Sequence, residues 1–331
     1  MGIVGTGRIA SLYENDPKAK KYYPSLTHAG AFSRHPKTEI TCACDSNVSR
    51  LRDFGRKWRV VALYPDYREM LRQENIDILS VCTQHDVHRK IIAAAAGNVA
   101  LIFCEKPMGR HLKEAREIVD LCRRRGSRLA VNLYRLFDPA HRETGRLLRS
   151  GLIGSVQRVN CFYGKGLRNM GTHIISLLLS YFGPIASVNT LALDSLGDGG
   201  GLTADFLARF AAGFPCVVQG CDFRNYRIFE IDILGSYGRI LLNREGFGFQ
   251  FYRAVPNRAE TGAQELSVYK SPVRATVGRA LDYAVQELVD CVGTGREPLS
   301  SGREYLKTEE VIEAVYQSAH RRKPVAVGGA A

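Results

Sequence analysis

The first 133 residues alternate between short apolar segments and longer segments with helical spacing, and this alternation strongly constrains the fold. The apolar segments have the length of strands and carry few charges, which is typical of strands buried on both faces of a sheet. Strands joined through helices run parallel to one another. We therefore predict an α/β fold built on a doubly wound parallel sheet. The predicted strands span residues 3–4, 38–43, 60–62, 76–82, 100–104 and 129–133.

A glycine-rich turn follows the first predicted strand. Gly5, Gly7 and Ala10 form a G-x-G-x-x-A pattern, which is the permitted variant of the dinucleotide-binding fingerprint. Gly5 allows a tight turn, Gly7 lets the backbone approach a pyrophosphate, and Ala10 is small enough for a helix to pack on the strand. The N-terminus of that helix would present N–H groups to the phosphates. Arg8 and Ile9 are therefore assigned to the cofactor site as well.

An acidic residue, Asp45, follows the second predicted strand. The fingerprint expects an acid about 20 residues beyond the glycines, and a polar inserted loop at residues 14–24 accounts for its later position here. A carboxylate at this place accepts hydrogen bonds from the adenosine ribose and repels a 2′-phosphate, which favours NAD over NADP. The alternative is that Asp45 caps the helix predicted over residues 49–57. Arg50, in that helix, is counted with Asp45 among the cofactor-binding residues.

Two charged residues and a proline end the fifth predicted strand. The run 100–104 is apolar, and Glu105, Lys106 and Pro107 follow it directly. Pro107 has no N–H to donate to a sheet, so the strand must stop there. Ligands of open α/β sheets bind at the carboxyl ends of the strands. The two charges are therefore predicted to lie at a binding edge, with a plain surface ion pair as the alternative.

The length of the chain, 331 residues, exceeds what a single hydrophobic core usually holds. We predict one domain over residues 1–128 and a second over residues 129–331. In the second, Asp138 and Pro139 are suited to begin a helix. Segments that alternate like half-buried strands follow, mostly linked by Gly, Asn or Asp, which suits antiparallel turns. They span residues 155–163, 185–193, 203–210, 217–222, 227–234 and 239–243.

The formal net charge of +13 favours anionic partners, such as a nucleotide cofactor or a phosphorylated or nucleotide-linked substrate. No recognised nucleic-acid-binding motif accompanies the charge, so we expect no nucleic-acid partner. The alternative, motivated by the charge alone, is a nucleic-acid-binding protein with a vestigial Rossmann fold. The nine cysteines lack the CxxC spacing of a metal site and fit reduced thiols. Neither a signal peptide nor an apolar run of membrane-spanning length is found. We expect a cytoplasmic protein with no membrane partner.

The order of these motifs resembles the glucose–fructose oxidoreductase / inositol dehydrogenase (Gfo/Idh/MocA) family. The resemblance rests on the glycine turn, Asp45, and Glu105-Lys106-Pro107, and it continues through segments 83–88, 132–139, 150–154, 171–173, 297–299 and 323–325. It implies an N-terminal Rossmann domain that holds NAD(P). It also implies a second α+β domain with an open, mostly antiparallel sheet, which binds substrate and makes dimer or tetramer contacts. A cis Lys106–Pro107 peptide is implied as well.

The resemblance further implies a dehydrogenase that acts on a CH–OH group of a sugar, cyclitol or sugar derivative. Such a reaction needs a base that accepts the hydroxyl proton near neutral pH. Lys106 is the leading candidate, because a positive nicotinamide and the exclusion of water would lower its pKa. His173 is the second candidate, with a structural histidine as the alternative. Glu105 is expected to hold Lys106 or the nicotinamide ribose, and Thr83 and His88 are assigned to the cofactor. No metal is expected.

Two positions near His173 depart from the family pattern. Asn169, four residues before it, and Ser176, three residues after it, stand where the family usually carries aspartates. Neither side chain can take a proton, so the proton transfer is expected to depend on Lys106 with His173. Loss of both acids also keeps open an alternative function, an NAD-binding sensor or regulator of the same fold without catalysis.

The residues expected to contact the substrate are polar or cationic. This character suits a polyol that carries an anionic group, such as a phosphorylated, uronic or nucleotide-linked sugar, better than a bare sugar. The set comprises Asn132, Tyr134, Arg135, Tyr163, Lys165, Arg168, Asn169 and His173.

Overall fold

In the computed structural model, which describes residues 1–195 and 201–328, the chain divides into two units. The first comprises residues 1–138 and 278–306, and the second comprises residues 139–277 and the segment from residue 307 onward. This division differs from the boundary at residue 128 expected from the sequence. Residues 129–131 belong to the last strand of the first sheet, and a helix distant in sequence completes the first unit.

The first unit is built on a parallel sheet, which for the described residues has six strands in the order β3-β2-β1-β4-β5-β6. The chain adds β2 and β3 on one side of β1 and then β4, β5 and β6 on the other. The predicted doubly wound parallel sheet is therefore confirmed. The strands are β1 (Gly2–Val4), β2 (Cys42–Cys44), β3 (Ala62–Tyr64), β4 (Ile78–Val81), β5 (Leu101–Cys104) and β6 (Arg128–Val131).

Helices cover both faces of this sheet, and their ends follow the local sequence. The Asn47 side chain accepts a hydrogen bond from the N–H of Arg50 and caps a helix, and Gly126, with a φ of +75°, ends another. Such residues satisfy the backbone groups that a helix leaves free at its ends. The helices here are α1 (Pro17–Lys20), α2 (His28–Arg34), α3 (Val48–Trp58), α4 (Tyr67–Gln73), α5 (His85–Ala95), α6 (Leu112–Arg125) and α7 (Tyr134–Phe137).

The segment after the glycine turn is not the regular helix that the fingerprint predicts, and that prediction is wrong. Hydrogen-bonded turns, with the N–H of Ser11 donating to the carbonyl of Gly7 at 3.0 Å, lead into a short 3-10 segment, Leu12–Asn15. The polar insertion, with prolines at 17 and 24, contains only the short helix α1 and separates the glycine turn from α2. Buried Glu14 anchors the insertion by accepting a hydrogen bond from the Thr27 hydroxyl at 3.0 Å.

The core of the first unit lies on both faces of the sheet, because successive strand residues point to opposite sides. In β5, Leu101 and Phe103 pack into a cluster with residues of α2 and α3. Ile102 and Cys104 pack into a second cluster with residues of α5 and α6. All four side chains have no exposed surface. The strand that carries Glu105 and Lys106 at its end is thus fixed from both sides.

The second unit contains a larger sheet. Over the described residues it has nine strands in the order β14-β13-β12-β11-β7-β10-β9-β8-β15, and β7 with β10 is the parallel pair. The prediction of a mostly antiparallel sheet is confirmed. The strands are β7 (Val156–Tyr163), β8 (Ile185–Ser195), β9 (Leu202–Phe210), β10 (Pro215–Gly220), β11 (Phe229–Gly235), β12 (Gly238–Asn243), β13 (Gly248–Pro256), β14 (Gln264–Tyr269) and β15 (Val325–Ala326).

Four further helices complete the description. The helix predicted from Asp138 and Pro139 is observed as α8 (Pro139–Arg149), and α9 (Thr172–Phe182) begins next to His173. The helix that returns to the first unit is α10 (Ala280–Thr294), and α11 (Gly302–Arg321) contributes residues to both units. Among residues 1–195 and 201–328, no helix is both long enough and apolar enough to cross a membrane.

Candidate active site

The glycine turn lies at the carboxyl end of β1, in the middle of the parallel sheet. Gly5 has a φ of +87°, and its N–H donates to the carbonyl of Cys44 at 2.8 Å. A Cβ atom at this position would lie 2.9 Å from the backbone of Cys82 and Thr83. The turn can therefore pass between the ends of β2 and β4 because residue 5 has no side chain.

Gly7 is a glycine for a different reason. A Cβ atom there would meet no heavy atom of the described residues within 4 Å, so packing inside the protein does not demand a glycine. Open space beside this backbone fits a pyrophosphate that approaches it closely. Arg8 is exposed and its guanidinium lies 5.1 Å from the centre of the Tyr13 ring, whereas Ala10 is fully buried.

Asp45 ties the second strand to the glycine turn. Its Oδ2 accepts hydrogen bonds from the Thr6 N–H at 2.7 Å and the Thr6 hydroxyl at 2.8 Å. Arg50 donates to both carboxylate oxygens, at 3.0 and 2.7 Å. Burial alone would raise the pKa of Asp45, but the bonds from Arg50 and Thr6 outweigh it and lower this pKa. The helix cap is Asn47, so Asp45 does not have the capping role considered as its alternative.

Glu105 and Lys106 follow β5 at the same edge of the sheet. The N–H of Glu105 donates to the carbonyl of Val81 in β4 at 2.9 Å. The Lys106–Pro107 peptide is cis, as the family resemblance implies. The N–H of Lys106 donates to Oε2 of Glu105 at 3.2 Å, and the Lys106 side chain is half-buried. The Glu105 carboxylate therefore holds the main chain of the lysine beside it.

A buried histidine that the sequence analysis missed stands behind this pair. The ring of His28 has no exposed surface, its Nε2 lies 2.8 Å from Oε1 of Glu105, and its Nδ1 lies 2.7 Å from the Ser80 hydroxyl. Asn132 donates its side-chain N–H to the same Glu105 oxygen at 2.6 Å. The available signal was a lone histidine in the otherwise small and apolar segment 27–32.

The electrostatics of this cluster favour two opposite charges. Burial would lower the pKa of His28, but Cys82 and the Glu105 carboxylate outweigh it and raise this pKa to about 10. Burial would likewise raise the pKa of Glu105, but His28, Asn132 and Lys106 lower it on balance. An imidazolium and a carboxylate in contact satisfy each other, which is the condition for burying either charge.

Thr83 and Asn132 each keep one buried acceptor at the ends of strands that flank β5. Within the described residues, neither the Thr83 Oγ1 nor the Asn132 Oδ1 has a hydrogen-bond partner. Buried polar atoms normally have partners, so these two atoms fit the N–H and O–H donors of a bound nicotinamide riboside. Together with the open space at Gly7, they show that these residues suit a dinucleotide.

His88 lies inside the protein, unlike an exposed side chain that contacts a ligand. It is buried, its Nε2 lies 3.0 Å from the Thr83 carbonyl, and its Nδ1 lies 3.3 Å from the Met108 carbonyl. Burial lowers its pKa and keeps it neutral. His88 therefore supports the loops after β4 and β5 from behind.

The second unit carries the other predicted residues. His173 lies in the first turn of α9 and is buried. The Ser176 hydroxyl donates to the main-chain carbonyl of His173 at 3.0 Å. Arg168 and Asn169 lie in a π-helical turn, Leu167–Gly171, directly before α9. Arg168 donates to Oε2 of Glu309 at 2.8 Å, and the Glu309 side chain is 1% exposed.

The remaining candidate substrate residues differ in their burial and in the groups that they contact. Tyr163 has no exposed surface, and its hydroxyl donates to the Ala204 carbonyl at 3.0 Å and accepts from the Ala204 N–H at 2.9 Å. We therefore assign Tyr163 to the core of its sheet. Arg135 is buried, with its guanidinium 4.6 Å from the centre of the Tyr134 ring. Lys165 has a φ of +58° and lies near the Phe223 ring.

A doubly wound sheet with a dinucleotide turn on β1, an acid after β2 and Glu-Lys after β5 defines an NAD(P)-dependent oxidoreductase with a Rossmann domain. Residues 1–133 match the GFO_IDH_MocA family model, described as an oxidoreductase family with an NAD-binding Rossmann fold. This match confirms, over residues 1–133, the resemblance to the Gfo/Idh/MocA family noted in the sequence.

One curated relative is similar to nearly the whole chain, and solved structures share its fold. The chain is 26% identical to D-apiose dehydrogenase of Paraburkholderia graminis over 339 residues, covering 92% of this chain and 90% of that protein. An oxidoreductase from Agrobacterium radiobacter, in complex with NAD+, L-tartaric acid and magnesium, matches with a TM-score of 0.80 at 19% identity over 99% and 98% of the two chains. The WlbA dehydrogenase from Bordetella pertussis, in complex with NADH and UDP-GlcNAcA, matches with a TM-score of 0.77 at 20% identity over the same shares.

Proposed function

We propose that this protein transfers hydride between NAD and a CH–OH carbon of a sugar, cyclitol or sugar derivative. Lys106 acts as the general acid and base, assisted by His173. The observation that carries the proposal is the place of Lys106. It follows β5 at the carboxyl edge of the sheet, two strands from the β1 glycine turn, with its main chain held by Glu105. This is the edge where open α/β sheets bind dinucleotides.

We place the cofactor at Gly5, Gly7, Asp45 and Thr83, and we add Asn132, which the sequence assigned to the substrate. When bound, the nicotinamide supplies the acceptor or donor of the hydride. Gly7 leaves room for the pyrophosphate, and Thr83 and Asn132 each offer a buried acceptor. The Asp45 carboxylate, kept ionised by Arg50 and Thr6, would repel a 2′-phosphate. This repulsion supports a preference for NAD over NADP.

The proton of the substrate hydroxyl passes to Nζ of Lys106 when the alcohol is oxidised and returns from it in the reverse direction. Glu105 keeps the lysine main chain in place through the Lys106 N–H. His173 binds the same hydroxyl or shares its proton. With asparagine and serine at positions 169 and 176, no carboxylate adjacent in sequence assists His173, so removing Lys106 should stop the chemistry.

The substrate is a polyol with an anionic group. The net charge of +13 supports this class, as do Arg168, Lys165 and Asn169 ahead of His173. Among the relatives, one acts on D-apiose and others are bound to L-tartaric acid or to UDP-GlcNAcA. Each of these compounds is a polyol, and two of them carry acidic groups.

The protein assembles as a homodimer or homotetramer through the sheet of the second unit. Large apolar side chains on its strands support this, since Leu191, Leu266 and Val268 are 62%, 47% and 67% exposed. Leu266 and Val268 lie two residues apart on β14 and so share one face of that strand, and exposed apolar side chains that lie together are typical of protein interfaces. The nine free thiols, eight of them buried, suit the reducing cytoplasm.

The test is NADH formation with purified protein across a panel of free, uronic, phosphorylated and nucleotide-linked sugars and cyclitols. Lys106→Ala should reduce kcat by at least about a hundredfold, in the range expected for a general base. Lys90→Ala, on the exposed face of α5, is the matched control and should keep full activity. Full turnover by Lys106→Ala would remove the assigned base, and tight NAD binding without turnover on any compound would favour a sensor.

A further inference from the structure

We propose that His28 is a positioning residue for Lys106: as a buried imidazolium it pairs with the Glu105 carboxylate, which in turn fixes the lysine. This inference rests on the proposed function of Lys106. It concerns two groups, His28 and the Glu105 carboxylate, that lie behind the strand ends.

The hydrogen bonds give His28 a partner at each ring nitrogen. Its Nε2 faces Oε1 of Glu105 at 2.8 Å, and its Nδ1 faces the Ser80 hydroxyl at 2.7 Å. The Ser80 hydroxyl in turn lies 3.3 Å from the Cys82 sulfur, so it can accept from His28 and donate onward. A doubly protonated ring satisfies this whole chain of contacts.

Glu105 in turn uses both oxygens. Oε1 receives His28 and the Asn132 side-chain N–H, and Oε2 receives the main-chain N–H of Lys106. A carboxylate accepts all three bonds, whereas a protonated carboxyl would have to turn its own O–H toward donors. The geometry therefore favours the ionised form of Glu105, and this form needs a buried cation to balance it.

The other titratable groups beside Glu105 do not supply the cation that balances its negative charge. His88 and Cys104 lie near Glu105, and burial keeps the histidine neutral and the thiol protonated. Cys82 lies next to the imidazole, and the Phe103 ring packs against it with centroids 4.9 Å apart. With His88 neutral and Cys104 protonated, Cys82 and the Glu105 carboxylate are the neighbours that favour the imidazolium.

This arrangement has a consequence for the lysine. A carboxylate without a partner would stabilise the ammonium form of Lys106 and raise its pKa, away from the value that a base needs at neutral pH. The imidazolium offsets that charge. Glu105 can then hold the Lys106 main chain while the pair as a whole adds no net charge beside Nζ.

The first arm of the test compares pH profiles of kcat/KM for the wild type, His28→Gln, Glu105→Gln and the double variant. His28→Gln should lower kcat/KM at pH 7 by about 10- to 100-fold, as coupled neighbours do, and move the acidic limb of the profile to higher pH. The double variant should lose no more kcat/KM than Glu105→Gln does, and the acidic limb of its pH profile should return to the wild-type position. An unmoved limb in His28→Gln, or additive losses, would overturn the proposal.

Two further variants separate positioning from folding. His141→Gln is the matched control: His141 is equally buried and lies 2.7 Å from the Tyr181 hydroxyl in the second unit. It should lower the melting temperature and leave the pH profile unchanged. If His28→Gln does not fold, Ser80→Ala takes its place, because it removes the partner of Nδ1 and should move the limb in the same direction by less. An unmoved limb in Ser80→Ala would then contradict the proposal.

The second arm needs no activity. Nitrogen-15 spectra of labelled histidines in the full chain should show His28 with two ring protons at pH 8, assigned by its loss in His28→Gln. In Glu105→Gln the second proton should be gone at that pH. A singly protonated ring in the wild type refutes the ion pair even if Lys106→Ala is inactive. If the wild-type ring is doubly protonated and Lys106→Ala is fully active, Lys106 is not the base, but the ion pair of His28 and Glu105 is supported.

Discussion

Thr6 and Asp45 are joined by two hydrogen bonds, from the Thr6 N–H at 2.7 Å and its hydroxyl at 2.8 Å, to a single oxygen of the carboxylate. The residue between the two glycines of the fingerprint is thereby locked to the tip of β2. The carboxylate that should select the cofactor also shapes the turn that should hold its phosphates. Cofactor affinity and cofactor preference are therefore expected to change together when Asp45 is altered.

Asp45→Ala should weaken NADH binding by about tenfold or more, since a hydrogen bond to a charged group is worth about 1.5–3 kcal/mol. It should also improve NADPH binding relative to NADH, because Arg50 loses its carboxylate partner and the repulsion disappears. Fluorescence titration with both reduced cofactors measures the two constants. Asp53→Ala, an exposed acid of α3 that pairs with Arg56, is the control. An unchanged ratio of the two constants would contradict the role of Asp45.

Gly30→Ala should destabilise the first unit by about 1–3 kcal/mol, the usual cost of overpacking a core. A Cβ atom at position 30 would lie 1.5 Å from Oε1 of Glu14, and this buried carboxylate is held by the Thr27 hydroxyl. Denaturant unfolding measures the change. Gly293→Ala in α10 is the matched control: a Cβ atom there would meet no described heavy atom within 4 Å, so the higher helix propensity of alanine should stabilise slightly. Equal effects of the two substitutions would refute the account.

Much of the first sheet could be predicted from the sequence because its signals are local. The run that forms β5 is apolar at every residue and ends three residues before Pro107, and α4 begins at the capping residue Asp66. The helix behind the glycine turn could not be predicted correctly. Its fingerprint is the usual one, but the insertion at residues 14–24 competes with it, and a buried Glu14 anchors that insertion through contacts that no spacing rule describes.

The residues of the candidate site likewise divide into those that the sequence reveals and those that it does not. Lys106 is recognisable because a charged pair after a buried strand is unusual. His28 is not, since its partner Glu105 is 77 residues away and only the assembled sheet brings them together. Glu309 could not be predicted either, because its partner Arg168 is 141 residues away in the sequence. Tyr163 is a different case, because a tyrosine at a strand end is expected to be accessible, but its hydroxyl is hydrogen-bonded to Ala204 of β9, two strands away in the folded sheet.

Arg168→Ala should destabilise the protein by about 3–5 kcal/mol, because it leaves the buried carboxylate of Glu309 without this cation. The ion pair is asymmetric: the Glu309 side chain is 1% exposed and that of Arg168 is 27% exposed. Arg146→Ala, which breaks a pair with the more exposed Glu143, should cost about 1 kcal/mol or less. Thermal and denaturant unfolding of both variants provide the comparison. Similar losses of stability in the two variants would show that burial does not determine how much the pair of Arg168 and Glu309 stabilises the protein.

The same measurement separates a structural from a substrate-binding role for Arg168. Arg168→Ala combined with Glu309→Gln removes both charges and should recover most of the lost stability. If the guanidinium also binds an anionic substrate, the double variant should still show a KM raised by about tenfold or more, with kcat little changed. A wild-type KM in the stable double variant would restrict Arg168 to holding α11.

The ion pair of His28 and Glu105 predicts how the stability of the first unit depends on pH. The pKa of His28 is raised in the folded protein from 6.5 to about 10, so its contribution is complete below about pH 6.5 and is lost as the pH rises toward 10. In this window the folded state holds one more proton than the unfolded state, and the stability difference between the wild type and His28→Gln should shrink by about 1.4 kcal/mol per pH unit. Glu105, whose pKa is lowered, adds the opposite trend below about pH 4.5. Urea unfolding at pH 6, 7, 8 and 9 gives the slope, with His141→Gln as the reference, and a difference that stays constant across these values would rule out a charged His28.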